Sequence, residues 1–251
     1  MKITRQIDAI IYKNDEHTES SEELVSDETT TLIINDTTPR NFSTIPNALE
    51  DFATGYLIGE GIIKNIDEIS KINIDKTLVK IQTKTKEEND DELVLCSDSS
   101  GGWRSKIKVI KKVESDLKVE KDDLIKNIEK LRKNASIWQK TGGTHVAAFV
   151  NKDKGKFIVR EDVSRHVAVD KVIGAAAKER LDFSKSYIIY SGRMPADMVI
   201  KIARAGIPIL ASNAAPSFSG YTTAEKGNIT LVGFIRGNRF NVYTHADRIL
   251  F

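Results

Sequence analysis

Residues 187–212 read Y-I-I-Y-S-G-R-M-P-A-D-M-V-I-K-I-A-R-A-G-I-P-I-L-A-S, and their order decides the fold. Y-I-I-Y (187–190) is an apolar run of the length of a short buried strand. The next run carries Pro195 in its first turn and Gly206 at its end, which predicts a helix between those two residues. I-P-I-L-A-S (207–212) is a second strand. Strand, helix and strand in such close succession describe parallel neighbours of one α/β sheet. The rhythm continues on both sides. H-V-A-A-F-V (145–150) and K-F-I-V-R (156–160) read as strands joined by the turn N-K-D-K-G, with a helix over roughly 163–180. Downstream come a helix or turn at 217–226 and a strand at 229–235.

The first half is less regular. Residues 1–13 and 30–36 suggest strands, with an exposed polar loop between them. From Asn47 the pattern N-A-L-E-D-F-A-T-G-Y-L-I-G-E-G is helical, with Asn47 as the expected N-cap and Gly59 and Gly61 as stops. Strand-like runs follow at 71–83 and 92–96. Leu124, Ile128 and Leu131 share one face of a predicted amphipathic helix over 120–137. A boundary near 135 separates a mixed α/β N-terminal region, 1–135, from the α/β core, 136–251.

Composition narrows the function classes. The chain has 251 residues, 40% hydrophobic and 29% charged, enough to bury a sizeable core. A net charge of +2 gives no global basic field of the kind that marks a nucleic-acid binder. No run approaches the roughly 18 apolar residues of a membrane span. The first residues, M-K-I-T-R-Q-I-D, turn polar too soon for a signal peptide, so a cytoplasmic protein is expected. The single cysteine, Cys96, excludes an intramolecular disulfide and a Cys-x-x-Cys zinc site.

The polar residues gather at strand ends, where α/β sheets bind ligands and helix N-termini offer free N–H groups. One strand runs into Arg160-Glu161-Asp162 and another into Ser191-Gly192-Arg193. A third ends in Ser212-Asn213-Ala214 and a fourth in Arg236-Gly237-Asn238-Arg239. Asp162, His166 and Asp170 are spaced to share one helix face, with Arg165 and Lys171 beside it. Each arginine alone reads as a surface ion pair before a ligand contact. Together they suit a phosphorylated, nucleotide-like ligand, because guanidinium forks match phosphate. His145, in T-G-G-T-H (141–145), and His245, in Y-T-H-A-D-R (243–248), either face such a site or serve structure. No nucleophile–base arrangement and no Walker loop stands out.

Taken in order, these segments resemble the FdhD family, the sulfurtransferase or sulfur-carrier accessory proteins of formate dehydrogenase. The resemblance rests on F-A-T-G-Y-L-I-G-E-G-I-I (52–63), T-G-G-T-H-V-A-A (141–148), R-E-D-V-S-R-H-V-A-V-D-K-V-I-G-A-A (160–176), S-G-R-M-P-A-D-M-V-I-K-I-A-R-A-G-I-P-I-L-A-S-N-A-A-P (191–216) and G-N-I-T-L-V-G-F-I-R-G-N-R-F-N-V-Y-T-H (227–245). It implies a cytidine-deaminase-like three-layer α/β/α core with a smaller mixed α/β N-terminal region. It also implies a homodimer that binds the molybdenum-bis(molybdopterin guanine dinucleotide) cofactor as its cargo, in a pocket that GDP-like nucleotides also enter. Sulfur would pass to that cofactor from a cysteine desulfurase, for a formate dehydrogenase or a related molybdenum or tungsten oxidoreductase. Arg160, Asp162, Arg165, His166, Asp170, Lys171, Ser191, Gly192, Arg193, Ser212, Asn213, Ala214 and Arg236 are the expected cofactor-binding residues.

One loop departs from the family. Its sulfur-carrying segment reads like S-S-C-G-x-C-G, and here S-S-G-G-W-R (99–104) puts Gly101 and Arg104 where the cysteines belong. A persulfide needs a thiolate, and Cys96 is the only thiol. It reads either as a small buried hydrophobe at a strand end or as a displaced sulfur carrier. Zinc deaminase chemistry would need a cysteine pair that the chain lacks, so no zinc is expected. The alternatives to sulfur transfer are a cofactor-binding chaperone and a degenerate regulatory or structural partner.

Overall fold

The computed structural model describes residues 2–84, 93–95, 103–105 and 110–251. The chain opens with a two-stranded antiparallel ribbon, β1 (Thr4–Lys13) and β2 (Glu16–Val25). β3 (Glu28–Ile34) and β4 (Arg40–Thr44) lead to helix α1 (Leu49–Gly59), and β5 (Ile69–Asp75) and β6 (Leu78–Thr83) complete a four-stranded sheet of order β4-β3-β6-β5. β7 (Leu93–Leu95) and β8 (Trp103–Ser105) pair antiparallel, with Val94 opposite Arg104. The segment read as an exposed loop between the first two strands is therefore strand β2. A ribbon whose residues stay exposed or half-exposed on both faces shows no apolar alternation, so E-H-T-E-S-S-E-E carried no strand signal.

The second half forms the core. β9 (Val119–Glu120), α2 (Lys121–Lys133), α3 (Ser136–Thr141), β10 (His145–Asn151), β11 (Lys156–Asp162), α4 (Arg165–Lys178), β12 (Ser186–Tyr190), α5 (Ala196–Ala205), β13 (Ile209–Ser212), α6 (Phe218–Gly227), β14 (Thr230–Arg236), β15 (Arg239–Val242) and β16 (Ile249–Leu250) follow in order. β16 pairs in parallel with β9. The six-stranded sheet has the order β11-β10-β12-β13-β14-β15, with β12, β13 and β14 parallel.

Both faces of this sheet are apolar, as a sheet covered on both sides requires. Ala147, Phe149, Ile188, Tyr190, Leu210 and Leu231 point into one core, shared with α1, α4, α5 and α6. The alternate residues Val146, Ala148, Tyr187, Ile189, Ala211 and Val232 point into a second, with Leu124, Ile128 and Leu131 of α2. The core is thus a three-layer α/β/α structure. α2, grouped with the N-terminal region in the sequence reading, supplies one of its outer layers. The single helix expected over 120–137 is two, because the chain turns at Asn134 and Ala135.

α1 ties the N-terminal sheet to the core. All its residues but Glu50 are buried, because it packs against Leu32, Phe42, Val79 and Ile81 on one side and α4 on the other. Its backbone meets that of α4 at two glycines. A Cβ on Gly55 would sit 1.8 Å from the Asp170 carbonyl oxygen, and one on Gly174 1.9 Å from that of Asp51. The expected Asn47 cap is not used. Ala48 stands at the N-cap, and the Asn47 side chain accepts a hydrogen bond from Lys171 at 2.8 Å.

Candidate functional site: a strand-end cleft

Sheet topology puts the informative loops together. β10 runs antiparallel to both β11 and β12, so β11 points the same way as β12, β13 and β14. The carboxyl ends of these four strands and the start of β10 therefore share one edge. There a cleft of about 680 Å³ opens, lined among others by Arg132, Trp138, Gly143, His145, Ser191 and Asn213.

The cleft walls are fixed by buried polar contacts. Glu161, at the end of β11, accepts hydrogen bonds from the Ile137 and Trp138 amides at 2.9 and 2.7 Å and from the Thr144 hydroxyl at 2.9 Å. It thereby clamps the first turn of α3 and the Gly142–Gly143 turn to the sheet. Trp138 leaves 46% of its surface exposed at the wall. A half-exposed indole in a polar cleft is a stacking platform for a planar ring. Ser212 donates to the Gly192 carbonyl at 2.7 Å and accepts from the Ala214 amide at 3.0 Å, which joins the two loops beneath the cleft. Asn213 lines the cleft, and its Oδ1 is buried with no hydrogen-bond partner in the protein. Such an acceptor costs about 1–3 kcal/mol unless something fills it, and a ligand N–H or water in the cleft would. Arg236 is exposed at the end of β14 and reaches the Asn213 carbonyl at 3.4 Å.

His145 stands at the start of β10 with Nδ1 3.1 Å from Ser191 Oγ. Burial, with the nearby charges of Arg165 and His166, holds its imidazole below the ordinary histidine value. His245 is elsewhere: its carbonyl accepts from Thr230, at the opposite end of β14.

The helix face singled out in the sequence lies inside the protein. Asp162, His166, Asp170 and Lys171 are all fully buried. Lys171 Nζ is 2.7 Å from Asp162 Oδ2 and also donates to the Ile45 carbonyl at 3.1 Å. Asp162 accepts from the Ile45 and Ser164 amides, each at 3.0 Å. Asp170 pairs with Lys201, which also reaches Glu60 at 3.3 Å. His166 Nε2 is 3.3 Å from Asp197 Oδ2. Arg160 grips Asp51 of α1 through Nε and Nη2 at 2.9 and 2.8 Å. These groups bind the core to α1 and its neighbours, and they do not line the cleft. Spacing shows that they share a face; it cannot show that α1 and the 45–47 segment cover that face.

Of the other expected residues, Ser191 and Asn213 line the cleft, while Gly192, Ser212 and Ala214 form its supporting loops. Arg165 is half-buried at the start of α4, against Gly192, and Arg193 is exposed on the loop after β12. Arg132 and Trp138 were not expected, and Glu161 was read only as part of the strand-end run Arg160-Glu161-Asp162. Trp138 sits in an ordinary-looking helical run, and only the Glu161 clamp brings it to the strand ends. Cys96 and Gly101 lie outside the described residues.

The three-layer α/β fold carries a polar strand-end cleft with an exposed indole and cationic neighbours, at the edge where α/β sheets hold ligands. Comparison with known proteins makes this specific. The model of the FdhD/NarQ family matches residues 25–250, and the chain belongs to that family. The sulfur carrier protein FdhD of Methanothermobacter thermautotrophicus is 46% identical over 251 residues, covering 100% of both chains. That of Sulfolobus acidocaldarius is 34% identical over 92% of each. A solved structure from Desulfotalea psychrophila, described as a formate dehydrogenase accessory protein, matches with a TM-score of 0.80 at 25% identity, covering 99% of this chain and 100% of that one.

Proposed function

We propose that this chain serves a formate dehydrogenase by holding the molybdopterin guanine dinucleotide cofactor and passing sulfur to it from a cysteine desulfurase. The observation that carries the reading is the cleft. It offers Trp138 for a base, the buried Asn213 Oδ1 for a ring or amino N–H, and Arg132 with the rim arginines for phosphate. Loss of one base-stacking side chain costs about 1–3 kcal/mol. Trp138→Ala is therefore expected to weaken GDP binding, measured by calorimetry, by roughly 5- to 150-fold. Unchanged affinity would put the nucleotide elsewhere.

The sulfur step falls to Cys96, the one thiol in the sequence. Its thiolate would attack the outer sulfur of the desulfurase persulfide, forming a new persulfide and releasing the desulfurase thiolate. Cys96→Ala is expected to accept no labelled sulfur from a desulfurase and to leave formate dehydrogenase inactive. If that variant still restores the enzyme, the cofactor-chaperone reading replaces sulfur transfer. Gly101 and Arg104, in the places of the family's thiols, are what favour that second reading.

A homodimer is part of this proposal. β1 pairs only with β2 among the described strands, and Ile7, Ile10 and Tyr12 on it are 41%, 70% and 69% exposed. A long apolar edge strand invites another strand. Two-fold antiparallel pairing about Ala9 would set Ile7 against the partner's Ile11. Light scattering should give a dimer mass at micromolar concentration; a monomer mass removes this part.

A further inference from the structure

Inside the cleft one proton has two places to sit. Ser191 Oγ is 3.1 Å from His145 Nδ1 and 3.1 Å from the Val146 amide nitrogen. The amide can only donate, so it occupies one lone pair of the serine oxygen. The Ser191 amide donates to the Val146 carbonyl at 3.0 Å, which fixes the serine backbone against β10. Three arrangements satisfy this geometry. With a neutral ring that carries its hydrogen on Nε2, Ser191 donates to Nδ1; with the hydrogen on Nδ1, the ring donates to Ser191 and leaves Nε2 a bare acceptor that repels an anion. With a charged ring, Nδ1 donates to Ser191, whose oxygen then accepts twice and whose hydroxyl hydrogen turns elsewhere.

Burial and the charges around the ring decide between them. Arg165 and His166 bear on it from α4, and Arg132 lines the cleft at the end of α2. Arg236, from β14, reaches the carbonyl of Asn213, another lining residue. The nearby carboxylates are engaged elsewhere: Glu161 by the α3 amides, Asp162 by Lys171 and Asp197 by His166. None of the ion pairs among the described residues includes His145. In the cleft, burial and the cationic surround thus hold the imidazole below its ordinary value. An anion entering the cleft cancels that field and offers an acceptor to both Nε2–H and the freed Ser191 hydroxyl.

We infer that His145 and Ser191 form a proton-coupled anion contact: binding the anionic group of the cleft's ligand draws one proton from solvent onto His145 and turns the Ser191 hydroxyl toward that group. This rests on the reading of the cleft as a nucleotide site. The sign follows from linkage. Free His145 titrates below its ordinary value, and the bound anion raises it. Between those two values binding takes up a proton, so affinity falls by up to about tenfold for each unit rise in pH. Below the lower value the dependence vanishes.

The test is calorimetry of GDP binding to the full chain near pH 7.5 in two buffers of unlike ionisation heat. The difference in enthalpy counts protons taken up. The wild-type chain should take up more protons, up to one, than His145→Gln or His145→Asn, since any uptake by the GDP phosphate is common to all three. Both variants should also lose most of the pH dependence. Equal uptake in wild type and in either folded variant overturns the inference while leaving the nucleotide site standing. No GDP binding by the wild-type chain overturns both.

Discussion

Replacing Gly174 with alanine is expected to cost several kcal/mol, more than about 4, although a helix interior normally gains about 1 kcal/mol from that change. The two effects have opposite signs, and the geometry says which wins. The new Cβ would lie 1.9 Å from the Asp51 carbonyl oxygen, 2.8 Å from its carbon and 2.8 Å from the Gly55 amide nitrogen. All three are backbone atoms, so no side-chain rotation relieves the clash; α1 and α4 must part. Parting them loosens what lies along the same seam: Arg160 and Lys178 on Asp51, and Lys201 on Glu60. A domain of this size loses about 2–4 °C of midpoint per kcal/mol, so thermal unfolding should show a drop of roughly 10 °C or more. Gly55→Ala meets the mirror-image contact, 1.8 Å from the Asp170 carbonyl, and should behave alike. A midpoint at or above that of the wild-type chain would mean that propensity outweighs packing and that the helices are free to separate.

The same seam explains what the sequence could and could not tell. Fully buried strands make continuous apolar runs, so Y-I-I-Y and I-P-I-L-A announced themselves, and Pro195 and Gly206 bounded the helix between them. Strand direction alone places the Ser191, Ser212 and Arg236 loops on one edge, because ligand loops in such sheets follow strand carboxyl ends. Other features depend on long-range contacts that local pattern cannot carry. Asn47 has the chemistry of a helix cap, but Lys171, distant in sequence, takes its side chain. Trp138 comes to the cleft through Glu161, whose two oxygens hold the start of α3. The Asp162–His166–Asp170 face was legible as a face, but its occupant was not. Polar residues at helical spacing look the same whether they meet a ligand or a second helix.

Lys171→Met should be the second severe lesion, and its remedy distinguishes an ion pair from a packing defect. Lys171 and Asp162 are both fully buried, 2.7 Å apart. Burial pushes the Asp162 carboxyl up and the Lys171 ammonium down, each against the pull of the other. Such a pair contributes little net stability, because desolvation offsets most of the attraction. Removing one partner is another matter, since the remaining charge keeps the desolvation and loses the attraction, at about 3–5 kcal/mol. Methionine fills most of the lysine's volume, so the loss would be electrostatic. Asp162 must also keep accepting from the Ser164 and Ile45 amides, which rules out an apolar replacement. Asparagine keeps one acceptor without the charge. The double variant Lys171→Met with Asp162→Asn is therefore expected to regain at least half of the stability lost by Lys171→Met alone, measured by urea unfolding. If the two changes simply add, the charge left on Asp162 is not what destabilises the single variant. The lesion would then lie in the bonds from Lys171 to the Ile45 carbonyl and Asn47, which fasten the 45–47 segment to the core.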